Sequence, residues 1–440
     1  VDYDVILVRH SEIALKSRPV RIRFEGLLMK NLERQAGGKA KKEAARIILY
    51  GGDVDAVGRV FGVKSYSPAL RVPATLEDMR RAALSLYHGE KTFAVRTQRV
   101  TKDVPWTSPE INRLVGGYVK DETGATVDLK NPELAIGIEI INGWAYVFRD
   151  VLPGPGGLPV GAAGRVLHLF SGGIDSPVAA WRMGKRGVQP VLLFVNVAGP
   201  AQEALVYNVY EVLRRWFPAL PFYVIDAPEI MDTIISKVPE GYRQIVYKAF
   251  LYRLASAVAE DLGIPAISTG EALSQVSSQT LESLAVLHNF ADRPVFRPLI
   301  SFDKDEIVAI ARRIGTLSAS ESVPEVCVLA KHSITRPSLK KVQQYVDSLG
   351  VDYEGLVSRL RDAQPQNDYP DVWFHGQSLK GFEIVDLREN PGFIPEAGKK
   401  YILVCPQGTT AARMALKFRE QGYDVYALDE RTLRRLRGSK

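Results

Sequence analysis

A glycine-rich turn and a pair of cysteines are the residues whose types and spacing point to chemistry. Ser171-Gly172-Gly173-Ile174-Asp175-Ser176-Pro177 follows the apolar run at 166–170 and precedes a helix-like stretch at 178–184. Consecutive glycines let backbone N–H groups turn toward an anion, and the start of a helix adds partial positive charge. The G-x-x-x-x-G-K-[ST] spacing and its lysine are missing, so this is not a Walker loop. Cys327 and Cys405 are the only cysteines in 440 residues. Cys405 closes the apolar run Tyr401-Ile402-Leu403-Val404 and is followed by Pro406-Gln407-Gly408-Thr409-Thr410. A thiol between a strand end and a helix start is expected to have its thiolate stabilised by backbone N–H groups and the helix dipole. Cys327 follows Val323-Pro324-Glu325-Val326 in an expected loop. Two cysteines without a CxxC are too few for a Cys₄ zinc or iron–sulfur site, and no residue is assigned as a protein metal ligand.

The elements that must position these groups alternate. Residues 165–320 read as strand 166–170, helix to Lys185, strand 191–195, helix 202–216, strand 222–224, helix 243–262 and strand 266–268. Strands separated by helical patterns predict a doubly wound parallel sheet, in which ligands lie beyond the carboxyl ends of the strands. The glycine turn falls at such an end. Upstream, strand 3–10, helix 19–35, short strands at 46–50 and 60–65, and helix 75–88 predict a small ferredoxin-like α+β unit. A basic alternating strand at 92–99 follows, then a helix start at Ser108-Pro109-Glu110, with Ser108 as N-cap. The Gly/Pro-rich stretch at 152–161 reads as a domain joint. Residues 382–388, 401–405, 410–421 and 425–428 return to α/β.

The bulk numbers set limits. The length predicts two to four domains, and 46% hydrophobic with 24% charged residues describes ordinary globular protein. No apolar run reaches the length of a membrane span and no charged-then-apolar leader opens the chain, so a cytoplasmic location away from membranes is the expectation. A formal charge of +7 favours an anionic partner without identifying one.

SGGIDS matches the pyrophosphate-loop pattern SGGxDS of enzymes that split ATP between its α and β phosphates and activate an oxygen as an adenylate. Phe93-x-Val95-Arg96-x-x-Arg99, Ser108-Pro109-Glu110-Ile111, Val127-Asp128-Leu129 and the joint at 156–161 resemble a THUMP domain, a tRNA-binding module. That resemblance implies phosphate contacts from Arg96, Arg99, Lys102, Arg113 and Lys120, which position RNA without reading its sequence. SGGIDSPVAAW, the stretch at 268–280, Arg297-Pro298-Leu299-Ile300-Ser301-Phe302-Asp303-Lys304, Ile314-Gly315-Thr316 and Val323-Pro324-Glu325-Val326-Cys327 together resemble the 4-thiouridine synthetase (ThiI) family over nearly the whole chain.

The resemblance implies an α/β multidomain chain. A ferredoxin-like unit at 1–75 is followed by a THUMP domain at 76–152 and a linker at 153–164. A pyrophosphate-loop domain at 165–335, a linker at 336–376 and a rhodanese-like α/β domain at 377–440 complete it. It implies sulfur transfer to uridine 8 of tRNA, with ATP and Mg²⁺, through adenylation of the C4 oxygen. Leu169, Phe170, Ser171, Gly172, Gly173, Asp175, Ser176, Phe194, Val195, Lys248, Gly270 and Gln279 would contact ATP. Asp175 would assist Mg²⁺ or the activated oxygen, and Lys304 would stabilise phosphate charge or the adenylated intermediate. A Cys405 persulfide would deliver sulfur, with a transient Cys327–Cys405 disulfide reduced between turnovers. The loop carries Pro-Gln and Thr-Thr where rhodaneses often place Arg or Ser. A cysteine desulfurase as sulfur donor and a homodimer are further family expectations. The competing readings are a sulfur-relay protein for thiazole synthesis, which would need Cys405 but not Asp175, and another tRNA-adenylating pyrophosphatase, which would not need the cysteines.

Overall fold

The computed structural model describes residues 3–366 and 369–438. They fall into two compact units: Val1–Gly164 with Gly184–Gln189 and Arg215–Ala219, and Arg165–Met183 with Pro190–Arg214 and Leu220–Lys440.

The first unit is built on one nine-stranded sheet: β1 (Val5–Arg9), β2 (Lys39–Glu43), β3 (Arg46–Tyr50), β4 (Ser65–Pro73), β5 (Thr92–Arg99), β6 (Thr126–Val127), β7 (Leu134–Ile141), β8 (Trp144–Phe148) and β9 (Leu152–Pro153). The order is β2-β3-β1-β4-β8-β7-β5-β6, with β9 paired to β4. Strand alternation divides the apolar residues between two faces. Ile6, Val8, Ile47 and Leu49 pack with Phe24, Leu28 and Leu32 of the Arg18–Ala36 helix, while Val5, Leu7 and Ile48 pack with Tyr146 and Phe148. Further along, Phe93, Val95, Ile136 and Ile138 pack with Met79, Ile111 and Val115 of the Leu76–Ser85 and Ser108–Thr123 helices. Strand β4 pairs with both β1 and β8, so it joins the portions expected to be ferredoxin-like and THUMP into one sheet.

Two local expectations are corrected. Residues 60–64 form a turn rather than a strand, since Gly62 takes φ +99°, and pairing starts at Ser65. The N-cap of the Ser108–Thr123 helix is Thr107, in a reciprocal capping box with Glu110.

The second unit holds a six-stranded sheet: β10 (Arg165–Leu169), β11 (Gln189–Asn196), β12 (Phe222–Asp226), β13 (Ile267–Ser268), β14 (Val295–Phe296) and β15 (Arg361–Asp362), in the order β14-β13-β10-β11-β12-β15. Chain order reverses between β10 and β13, and their carboxyl ends bracket a crevice of the kind that holds nucleotides in doubly wound sheets. Within 336–376, expected as a linker, residues 339–362 contribute to this body instead. Val342, Val346 and Leu356 of the Leu339–Ser348 and Tyr353–Val357 helices join the core under the sheet, and β15 adds an antiparallel edge to β12. Those helices present an apolar stripe that had to be buried somewhere.

The tail carries a three-stranded parallel sheet, β16 (Glu383–Asp386), β17 (Lys400–Cys405) and β18 (Asp424–Asp429), with the Thr409–Glu420 and Glu430–Gly438 helices. No helix among the described residues is long and apolar enough to cross a membrane.

Candidate active site

The glycine turn lies between the end of β10 and the Asp175–Lys185 helix. Gly172 has φ +74°, and a Cβ there would stand 3.0 Å from Val206. Geometry and space both demand glycine. Ser176 Oγ accepts from the Ser171 amide at 3.2 Å and Ser171 Oγ accepts from the Gly173 amide at 3.3 Å, which holds the loop around its own backbone donors. His168 braces it from below: its Nε2 donates to the Ser176 carbonyl at 2.8 Å and its Nδ1 meets Ser268 Oγ at 3.0 Å. Complete burial lowers the His168 pKa to about 4, so the ring is neutral.

Across the crevice, Gly270 approaches so closely that a Cβ would come within 2.9 Å of the Ser176 nitrogen. Asp175 faces this crevice, with Lys304 Nζ at 2.7 Å from Oδ1 and Gln275 Nε2 at 3.0 Å from Oδ2. Asp175 and Lys304 are each the first residue of a helix, so both helix starts point at one place.

A cavity of about 140 Å³ opens beside the loop, lined by Leu169, Phe170, Ser171, Gly173, Phe194 and Val195 together with Val323-Pro324-Glu325-Val326. Six expected nucleotide residues thus share one wall. Gln202 donates to the Pro324 carbonyl at 2.8 Å and ties the 323–326 segment to the sheet.

Six residues expected at the nucleotide do not line this cavity: Gly172, Asp175 and Ser176 belong to the glycine turn and crevice already described, and Lys248, Gly270 and Gln279 lie elsewhere. Lys248 Nζ lies 3.2 Å from Glu271 Oε1, and Glu271 also receives Tyr252 OH at 2.5 Å, Thr269 Oγ1 at 3.0 Å and Arg297 Nε at 2.9 Å. Burial would raise the Glu271 pKa, but Lys248, Tyr252 and Arg297 outweigh it and hold the carboxylate below its ordinary range. Lys248 is therefore a partly buried counter-ion to the buried Glu271. Gly270 forms the far wall of the crevice. Gln279 is buried with its amide oxygen unpartnered.

The two thiols are neighbours. Cys405, at the end of β17, is fully buried, and Cys327 is 7% exposed. Their side chains hydrogen-bond to one another, both thiols being free. The Cys327 pKa is lowered to about 7, chiefly by the Cys405 hydrogen bond and then by backbone N–H groups of Leu329 and Gln407 and by Arg388. The Cys405 pKa is raised by that same bond and by burial, which overcome the Thr410 and Ala411 amides. The lowered pKa of the pair is thus at Cys327, whereas the sequence pointed to Cys405. Strand-end and helix dipole effects are present at Cys405, but a neighbouring sulfur that accepts its proton outweighs them.

Thr409 and Thr410, which appeared in the sequence only as an unusual loop composition, hold the Cys327 segment. The Cys327 amide donates to Thr409 Oγ1 at 2.9 Å, Thr409 Oγ1 donates to the Glu325 carbonyl at 3.1 Å, and Thr410 Oγ1 donates to the Cys327 carbonyl at 2.5 Å.

In the first unit, Arg96 and Arg99 lie on β5 and Lys102 just beyond it, while Arg113 and Lys120 lie two turns apart on the Ser108–Thr123 helix. Arg96, Lys102, Arg113 and Lys120 are exposed; Arg99 is partly covered and donates to the Trp106 carbonyl at 3.0 Å.

Comparison with known proteins follows the same division. A family model described as thiamine biosynthesis protein (ThiI) matches residues 161–351, a THUMP domain model matches 73–150, and a ThiI ferredoxin-like domain model matches 5–67. A probable tRNA sulfurtransferase of Saccharolobus solfataricus is 38% identical over 365 residues, covering 80% of this chain and 98% of the relative. The tRNA sulfurtransferase of Thermoplasma acidophilum is 34% identical over 456 aligned positions, covering 96% of this chain and 94% of the relative. A crystal structure of a 4-thiouridine synthetase–RNA complex with bound ATP superposes with a TM-score of 0.75 at 32% identity, over 82% of this chain and 100% of that one.

Proposed function

The chain belongs to the ThiI family of tRNA sulfurtransferases, and from that premise we propose that it uses ATP to convert uridine 8 of tRNA to 4-thiouridine. The observation that carries this reading is the placement of the thiol pair. Cys327 directly follows the 323–326 segment that walls the cavity beside SGGIDS, and it touches Cys405.

The loop amides and the two helix starts suit the phosphates of ATP. The uridine C4 oxygen attacks the α-phosphorus, pyrophosphate leaves, and the C4 oxygen becomes part of an AMP leaving group. Lys304 is the donor poised against the charge that develops there. The terminal sulfur of a Cys405 persulfide attacks C4 and AMP leaves. The Cys327 thiolate then attacks Cys405 Sγ, which leaves the sulfur on C4 and forms a Cys327–Cys405 disulfide. An external dithiol returns two electrons per turnover. A cysteine desulfurase is the proposed source of the persulfide sulfur, and Arg96, Arg99, Lys102, Arg113 and Lys120 are the proposed phosphate contacts to tRNA.

Mg²⁺ is expected with ATP. Among the described residues, no group of three or more His, Cys, Asp or Glu could hold a metal ion. Mg²⁺ commonly takes one or two carboxylates plus substrate phosphates, so the donors present fit a metal that arrives with the nucleotide. Asp175 would hold it, and the ion would neutralise phosphate charge. The pairing of Asp175 with Lys304 supports adenylation over a pure sulfur relay, which has no use for either.

The test is an assay for 4-thiouridine and pyrophosphate with unmodified tRNA, Mg²⁺-ATP and a persulfide source, run beside Asp175→Ala and Cys405→Ser. Thiolation lost in both variants, with pyrophosphate release lost only in Asp175→Ala, is the expected pattern. Pyrophosphate release without thiouridine from any donor would point to another adenylation target.

A further inference from the structure

Cys405 has no exposed surface, and yet the proposed reaction requires that its sulfur be loaded, reach a base, and later be reduced. What closes over it is specific. The chain turns sharply from Cys405 to Gly408, whose amide donates to the Cys405 carbonyl at 3.2 Å. Gly408 takes φ +78° with Trp373 so close that a Cβ would lie 2.6 Å from its ring, so this turn has little freedom. It delivers Thr409 and Thr410, both 3% exposed, to the start of the Thr409–Glu420 helix. Amides of that helix start point at the Cys405 sulfur, while the two hydroxyls grip the backbone of Cys327 at its amide, its carbonyl and the Glu325 carbonyl. One turn further on, Arg413 pairs with Asp232 at 2.7 Å, a second clasp on the same helix.

We infer that Thr409 and Thr410 are positioning residues that form a latch. They hold the Cys327 sulfur against Cys405, favour the disulfide over the open dithiol, and close the pair to solvent until the latch releases for loading. Neither hydroxyl touches a reacting atom. The inference rests on the thiol-pair chemistry proposed above, but its test needs neither tRNA nor ATP, so failure of uridine thiolation would leave the test intact.

The experiment uses the full reduced chain. Iodoacetamide labelling of Cys327 and Cys405 is timed by peptide mass spectrometry. The dithiol–disulfide balance is measured in dithiothreitol buffers, where the two protein thiols lose two electrons and two protons to oxidised dithiothreitol. Thr409→Val and Thr410→Val keep the side-chain shape and delete the hydroxyls. Each deletion leaves a buried backbone group of Cys327 without its partner, so labelling of both cysteines is expected to rise, and the balance to shift toward dithiol, by about tenfold. Thr409→Ser is expected to restore the wild-type values. Unchanged labelling and an unchanged balance in folded valine variants would overturn the latch. Should those variants not fold, the wild type in sub-denaturing urea decides. Cys405 labelled through an opening with a much smaller urea dependence than global unfolding supports the latch, and labelling that tracks global unfolding overturns it.

Discussion

Lys304 donates to Asp175 across 2.7 Å although 129 residues separate them, joining the first residues of two helices at the mouth of the glycine turn. The pair is partly open to solvent, with Lys304 46% and Asp175 24% exposed in their side chains, so its contribution to stability is small, about 1 kcal/mol or less. In the proposed reaction its importance is catalytic. Lys304→Ala is expected to slow ATP-to-pyrophosphate turnover by about 100-fold, the usual loss for one preorganised donor, while the urea midpoint hardly moves. Turnover equal to wild type would remove Lys304 from the chemistry.

The thiol pair makes a pH prediction. With the Cys327 pKa lowered to about 7, its reactive thiolate is scarce below that pH and abundant above it. The rate of Cys327 alkylation should rise through an inflection near pH 7 and then level off. Because the Cys405 hydrogen bond is the largest cause of the shift, Cys405→Ala should move the inflection toward the ordinary thiol value of about 8.5. An inflection that stays put in the variant would show that Cys405 does not set it.

His168 links the loop to acid stability. Its folded pKa of about 4 lies below the unfolded value of about 6.5. The folded state therefore binds fewer protons in that window, and stability present above pH 6.5 is lost as the pH falls toward 4. Between pH 7 and pH 5 this residue should account for roughly 2 kcal/mol. Urea unfolding of wild type and His168→Gln at the two pH values isolates that share. Identical pH slopes for the two proteins would contradict the assignment of a neutral, buried ring.

Glu271 is the fourth test. Removing a carboxylate that faces Lys248 and Arg297 in a buried cluster leaves two cations uncompensated, and Glu271→Ala should cost about 3–5 kcal/mol of stability. Glu271→Gln keeps the acceptor for Tyr252 and Thr269 and should cost less. Glu271 directly follows Gly270 in the chain, so both variants are also expected to weaken ATP binding, measured by titration. ATP affinity unaffected in a folded Glu271→Gln protein would separate this cluster from the nucleotide.

What the chain alone determined was local or repeated. The glycine turn is legible because only glycine tolerates the φ of Gly172 and the crowding beside Val206, and because strand and helix patterns flank it within a few residues. Alternating strands and helices in the 165–320 stretch carry the parallel sheet for the same reason. Tertiary structure decided the partners. Lys248 is a counter-ion to Glu271, Lys304 meets Asp175, and Cys327 rather than Cys405 holds the lowered pKa, because each depends on which strand ends and loops the crossovers bring together. It also decided that the helices within 339–357 pack into the core and that β4 serves two portions of one sheet, since burial of a stripe is visible in sequence but its acceptor surface is not. Thr409 and Thr410 show the limit most clearly. Their hydroxyls could have capped their own helix, and only the neighbouring Cys327 segment, 82 and 83 residues away, turned them to another use.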